Sequence, residues 1–191
     1  MPPSRREELV ESAMKVFYRN GFHCTGLDMI LKESGISRMT LYNHFKSKDE
    51  LIVAALRRRD ELFRNGLMKF VEGASRDPVE RIYAVFDFHE QWFNDEDFKG
   101  CMFINVSAEF CDAESPARRV SADHKIECVR YLTKLCEDAG LDEPSEAAER
   151  INLLLEGAIV TAYLQGKTGG NDSTPSEAAR RARSMASSIL S

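Results

Sequence analysis

Residues 21–51 read GFHCTGLDMILKESGISRMTLYNHFKSKDEL, and the short turn in the middle of that stretch decides the fold. Two amphipathic segments meet at Ser34-Gly35-Ile36-Ser37. Gly35 permits a tight left-handed turn, Ile36 plugs the space between the segments, and Ser37 caps the second. Thr25-x-x-Asp28 reads as the opening of the first segment, with Leu27, Ile30 and Leu31 turned inward. The second runs from Ser37 to about Phe45. At about 100° per residue, Leu41 and Phe45 share its inner face. Met39, Thr40 and Asn43 fall opposite, Arg38 and Tyr42 on one flank and His44 on the other. This is the build of a helix-turn-helix.

The outer face suits a DNA major groove. Asn pairs bidentately with adenine, Arg with guanine, and a Thr methyl meets a thymine methyl. Tyr42, His44, Lys46 and Lys48 are placed to reach phosphates, as are the helix N-termini at Thr25 and Ser47. The predicted DNA contacts are therefore Thr25, Ser37, Arg38, Met39, Thr40, Tyr42, Asn43, His44, Lys46 and Lys48.

Outward from this core the helical pattern continues. Ser4-x-x-Glu7 has the capping-box form and opens a helix with Leu9, Ala13 and Phe17 inward; Asn20-Gly21 ends it. Ser47-x-x-Glu50 opens a long helix. Asp77-Pro78 starts a helix reaching about Asn94, and another spans about Cys101 to Cys111. Ser115-Pro116 begins a helix that ends at Gly140, and Pro144 begins one that ends near Gly166. Gly166 to Ser173 reads as a flexible loop before a last helix at Thr174-Pro175. The expectation is an all-α chain of about nine helices, with no strand and no internal repeat.

Composition narrows the class. The chain has 191 residues, 43% of them hydrophobic and 30% charged, with a net charge of −5. That is enough apolar material for a real core. Residues 1–64 carry a net +3 and residues 65–191 a net −8, so the basic excess sits with the predicted DNA-binding part. No hydrophobic leader follows Met1, and no apolar run spans a bilayer, so a cytoplasmic protein without membrane contact is expected. The five cysteines show no C-x-x-C spacing and read as small buried hydrophobes.

Gly21-Phe22, Thr25, Ile30, Gly35-Ile36-Ser37, Thr40-Leu41-Tyr42, His44-Phe45, Ser47-Lys48 and Glu50-Leu51 together resemble the N-terminal domain of TetR-type regulators, over roughly residues 5–55. The resemblance implies a three-helix DNA-binding domain at 1–50. It implies a helical ligand-binding and dimerisation domain at 51–191, and a dimer closed by the last two long helices. It also implies repression of a palindromic operator, relieved by a small-molecule effector. Met39 departs from the pattern, because many relatives carry a small residue there.

The C-terminal half shows no catalytic constellation: no glycine-rich phosphate loop, no H-E-x-x-H and no G-x-S-x-G. No enzyme activity, cofactor or metal site is expected. Phe88, His89, Trp92, Phe103 and Asn105 have the composition of a small-ligand pocket between helices. Ile151, Leu155, Ala158, Ile159 and Ala162, with Ala182 and Met185 on the last helix, form the predicted homodimer face. Two other readings exist. In one, Cys101 or Cys111 is a redox-sensing thiol resolved by Cys128 or Cys136. In the other, the chain is a helical enzyme that binds no DNA.

Overall fold

A computed structural model of the chain describes residues 3–165 and 174–190, and its helices begin where the capping chemistry places them. Ser4 Oγ accepts the Glu7 N–H while the Glu7 carboxylate takes the Ser4 N–H at 2.6 Å, so the first capping box is complete. Helix α1 (Arg5–Asn20) buries Leu9, Val10, Ala13, Val16 and Phe17, and stops at Gly21, whose φ of 81° is left-handed. Helix α2 (Leu27–Ser34) ends at Gly35 with φ 67° and ψ 14°. Ser37 Oγ then accepts the Thr40 N–H at 3.2 Å and opens α3 (Arg38–His44).

Two expected caps differ. The N-cap of α2 is Gly26, not Thr25. The Thr25 hydroxyl is fully buried and donates to the Gly21 carbonyl at 2.6 Å, which leaves it nothing to offer α2. At α4 (Lys48–Ala74), Ser47 Oγ accepts the Glu50 N–H at 3.2 Å. The Glu50 carboxylate reaches past Ser47 to the Lys46 N–H at 2.7 Å, one residue further back than a capping box.

Beyond α4 come α5 (Pro78–Asn94), α6 (Met102–Glu109), α7 (Pro116–Asp138), α8 (Pro144–Gln165) and α9 (Pro175–Ala186). Four of these five start on proline, whose fixed φ suits the first turn and whose missing N–H would lack a partner there in any case. Helix α6 is shorter than the expected 101–111 span. Among the described residues the chain forms these nine helices and no strand. The expected loop at Gly166–Ser173 lies outside the described residues.

The chain divides into two compact units, Met1–Phe63 with Met102–His124, and Arg64–Cys101 with Lys125–Ser191. In the first, Phe17 stacks on Phe22 at 5.3 Å, with Leu9, Ile30, Leu41, Leu51 and Leu56 fully buried around them. In the second, α9 packs on α5 and α8. Its inner face is Ala178, Ala179, Ala182 and Ala186, all buried, and such small side chains let helices approach closely. Arg180 pairs with Glu90 at 2.8 Å, and Arg183 pairs with Asp87 at 3.2 Å.

Candidate nucleic-acid interface

The α3 face divides as its periodicity requires. Leu41 and Phe45 are 1% and 3% exposed, whereas Met39 and Tyr42 are 74% and 50% exposed. Arg38, Asn43, His44, Lys46 and Ser47 are exposed as well. Two large side chains are thus held in water beside Asn43 and Arg38.

Several of these groups are already oriented. Arg38 forms an ion pair with Asp28 on the first turn of α2, and that hydrogen bond holds the guanidinium firmly charged. Thr40 is half-buried, with its hydroxyl 2.9 Å from that of Ser37. Lys48 is half-buried and sends its ammonium toward the His23 carbonyl at 3.5 Å. Arg6, which the sequence did not single out, lies over the Phe45 ring at 5.1 Å and braces the C-terminal end of α3. Thr25 is the correction within this set: its side chain faces the interior, so this turn can meet a phosphate only through its backbone.

The predicted ligand-lining residues do not gather in one unit. Phe103 and Asn105 belong to the first, and Phe88, His89 and Trp92 to the second. Phe103 is 2% exposed and stacks face to face on the His124 ring at 3.7 Å. His124 Nδ1 in turn meets Asp60 Oδ1 at 2.7 Å. In the second unit, the His89 ring sits among Phe88, Trp92 and Phe93 at 5.8 to 6.0 Å. An open cleft of about 960 Å³ between α1 and α4 is lined by none of the five. Its Arg58 is tied to Glu11 at 2.6 Å and Glu61 at 2.9 Å.

His89 Nδ1 lies 2.8 Å from the Val85 carbonyl. A carbonyl only accepts, so Nδ1 carries the proton. Burial pushes the ring down to about 4, helped by the Lys125 ammonium and opposed by the Val85 bond. His89 is therefore neutral at pH 7. The unfolded chain takes up this proton first, so folding stability falls as pH drops from about 6.5 toward about 4, by about 3 kcal/mol. Denaturant titrations across this range should show a shallower loss in His89→Gln; an unchanged slope would assign the pH dependence to other groups.

The predicted dimer face needs correction. Ile151, Leu155, Ala158, Ile159, Ala162 and Ala182 are each 5% exposed or less within the single chain. They pack α8 and α9 into their own unit and are not available to a second copy. Of the predicted set only Met185, 60% exposed, faces outward. The opposite side of α8 carries Leu153 at 71%, Val160 at 40% and Leu164 at 77%, with exposed Gly157 between them.

The thiols separate by environment. Cys136 is fully buried, and burial pushes it up to about 11. Cys101 is buried with its Sγ 3.5 Å from Lys125 Nζ, and Lys125 also holds Glu156 at 2.6 Å. None of the five cysteines is in a disulfide. Among the described residues no cluster of His, Cys, Asp or Glu could hold a metal, and no helix is long and apolar enough to cross a membrane.

Comparison with known proteins places this geometry. Residues 9–55 match the family of bacterial regulatory proteins of the tetR type. The transcriptional regulator LmrA of Bacillus subtilis is 29% identical over 159 residues, covering 81% of this chain and 84% of LmrA. The transcriptional repressor NemR of Escherichia coli is 26% identical over 167 residues, covering 83% and 84%. A crystal structure from Streptomyces avermitilis, described as a TetR transcriptional regulator, is 31% identical. It covers 94% of this chain and 98% of that one, with a TM-score of 0.73. The exposed α3 face, the helical architecture and these likenesses agree, and the chain belongs to the TetR family of helix-turn-helix transcriptional regulators.

Proposed function

We propose that the protein is a cytoplasmic homodimeric repressor that binds a palindromic operator and leaves it when a small molecule binds. The outward face of α3 is the observation that carries this reading. Residues 1–50 act as the reading head, and 51–191 hold the effector site and the dimer contact. Asn43 and Arg38 read base edges, while Tyr42, His44, Lys46, Lys48 and the Ser37 turn position the phosphates. Met39 and Thr40 supply apolar contact in the groove. The dimer face is the stripe Leu153, Gly157, Val160 and Leu164 on α8, with Met185 on α9. The sign of regulation follows NemR, a repressor. Phe88 and Trp92 in the second unit are the candidates for effector contact, beside His89 as a neutral group. Operator and effector then oppose each other through a coupling of about 1–3 kcal/mol.

Selection of bound duplexes from random DNA tests the reading. On the selected operator, Lys46→Ala should weaken all sequences alike and lower the salt slope by about one. Asn43→Ala should relax preference at one position of each half-site, at a cost of about 1–3 kcal/mol. Recovery of no palindrome from the selection would end the proposal.

A second reading draws on Cys101 beside Lys125. Oxidation of that thiol would then release the operator. Release by peroxide, reversal by a reductant and loss of both in Cys101→Ser would favour it over a non-covalent effector.

A further inference from the structure

Glu109 is the last residue of α6, a poor place for a carboxylate. The C-terminal end of a helix carries partial negative charge and repels an anion, so α6 gains nothing from this residue. The carboxylate is used elsewhere. Both of its oxygens take the Phe22 N–H, at 3.0 and 2.9 Å, and one also takes the His23 N–H at 2.7 Å. Two successive backbone N–H groups aimed at one point form an anion-binding nest. The α1–α2 turn is such a nest, and a side chain from α6 fills it.

Gly21 makes room for this contact. Its φ of 81° favours glycine, and a Cβ there would lie 3.0 Å from Glu109 Oε1. The next residue adds a second grip. The Phe110 ring meets Phe22 edge-on at 5.9 Å and His23 at 4.8 Å. Helix α6 is itself anchored, with Met102, Phe103 and Val106 buried. The turn it holds leads directly into α2. Thr25 closes that turn onto the Gly21 carbonyl, and Lys48 reaches its His23 carbonyl.

We propose that Glu109 is a positioning residue for operator binding: seated in the backbone nest at Gly21–His23, it fixes the reading head to α6. The inference rests on the dimeric reading above. A dimer on a palindrome must place two heads at once, and freedom in each head is lost on binding. A single half-site engages one head and carries no such requirement. Reorienting a head requires breaking the bifurcated bond from the Phe22 N–H and the bond from the His23 N–H, both charge-assisted and stronger than neutral ones.

The experiment compares full-length wild type, Glu109→Ala and the near-isosteric Glu109→Gln by fluorescence anisotropy on the selected palindrome and on a duplex holding one half-site. Glu109→Ala should weaken palindrome binding about tenfold and leave half-site binding unchanged. Glu109→Gln keeps one carbonyl acceptor and should fall between wild type and Ala. Amide exchange at Phe22 and His23 should quicken in both. Equal weakening on both duplexes would reduce Glu109 to a fold-stabilising role and overturn the proposal, as would unchanged or tighter palindrome binding. If Glu109→Ala does not fold, Glu109→Gln decides on the same criteria. Failure of wild type to bind any duplex would instead remove the operator reading itself.

Discussion

A chain carrying Leu153→Glu and Leu164→Glu is expected to run as a monomer and to lose the full operator while keeping its helical content. The two leucines are 71% and 77% exposed, so their replacement costs the single chain little. In a two-fold dimer each appears twice. Each buried leucine contributes about 1.5–3 kcal/mol, and four are lost at once. The introduced carboxylates would also be taken out of water in such a contact, which is costly for unpaired charge. Light scattering behind size exclusion reads the mass, and far-UV circular dichroism reads the fold. Leu155→Glu is the contrast. Leu155 is 4% exposed, and a charge there should unfold the second unit outright. A Leu153/Leu164 double variant that stays dimeric would place the subunit contact on another surface.

Leu41→Ala is expected to destabilise the reading head by about 3 kcal/mol, the usual scale for emptying a buried leucine site, and to abolish operator binding without dissociating the dimer. Leu41 is 1% exposed at the centre of α3. The loss can be read locally because the chain has a single tryptophan, Trp92, which lies in the second unit. Circular dichroism reports helices of both units, while Trp92 fluorescence reports the second alone. In urea the variant should lose part of its helical signal before its fluorescence changes. Non-coincident transitions mark separate unfolding steps. Coincident transitions shifted by the same amount would mean that the two units melt as one.

The helix-turn-helix was legible because its signals are local. Ser4, Ser37 and Asp77 each cap within three residues, and Gly35 sits where only a left-handed residue closes the turn. Thr25 misled for a local reason too. Thr25-x-x-Asp28 has the form of a cap, yet the Gly21 carbonyl four residues back claims the hydroxyl first. On α8 both faces are apolar, so periodicity could not say which one turns inward. The buried side is the one that meets the alanines of α9. Glu109 carried no sequence signal at all, because its partners Phe22 and His23 lie 87 and 86 residues away. His89 read as a polar group available to a ligand, but its Nδ1 is bonded to its own helix.

The first unit is not one stretch of chain. It takes Met1–Phe63 and then returns for Met102–His124. A gene severed after Phe63 would leave this unit without part of its interior, since Met102, Phe103, Val106 and Ala117 are buried. Exchanging this unit whole therefore takes more than a single crossover. A hybrid that exchanges this whole unit has to carry two separated segments, 1–63 and 102–124.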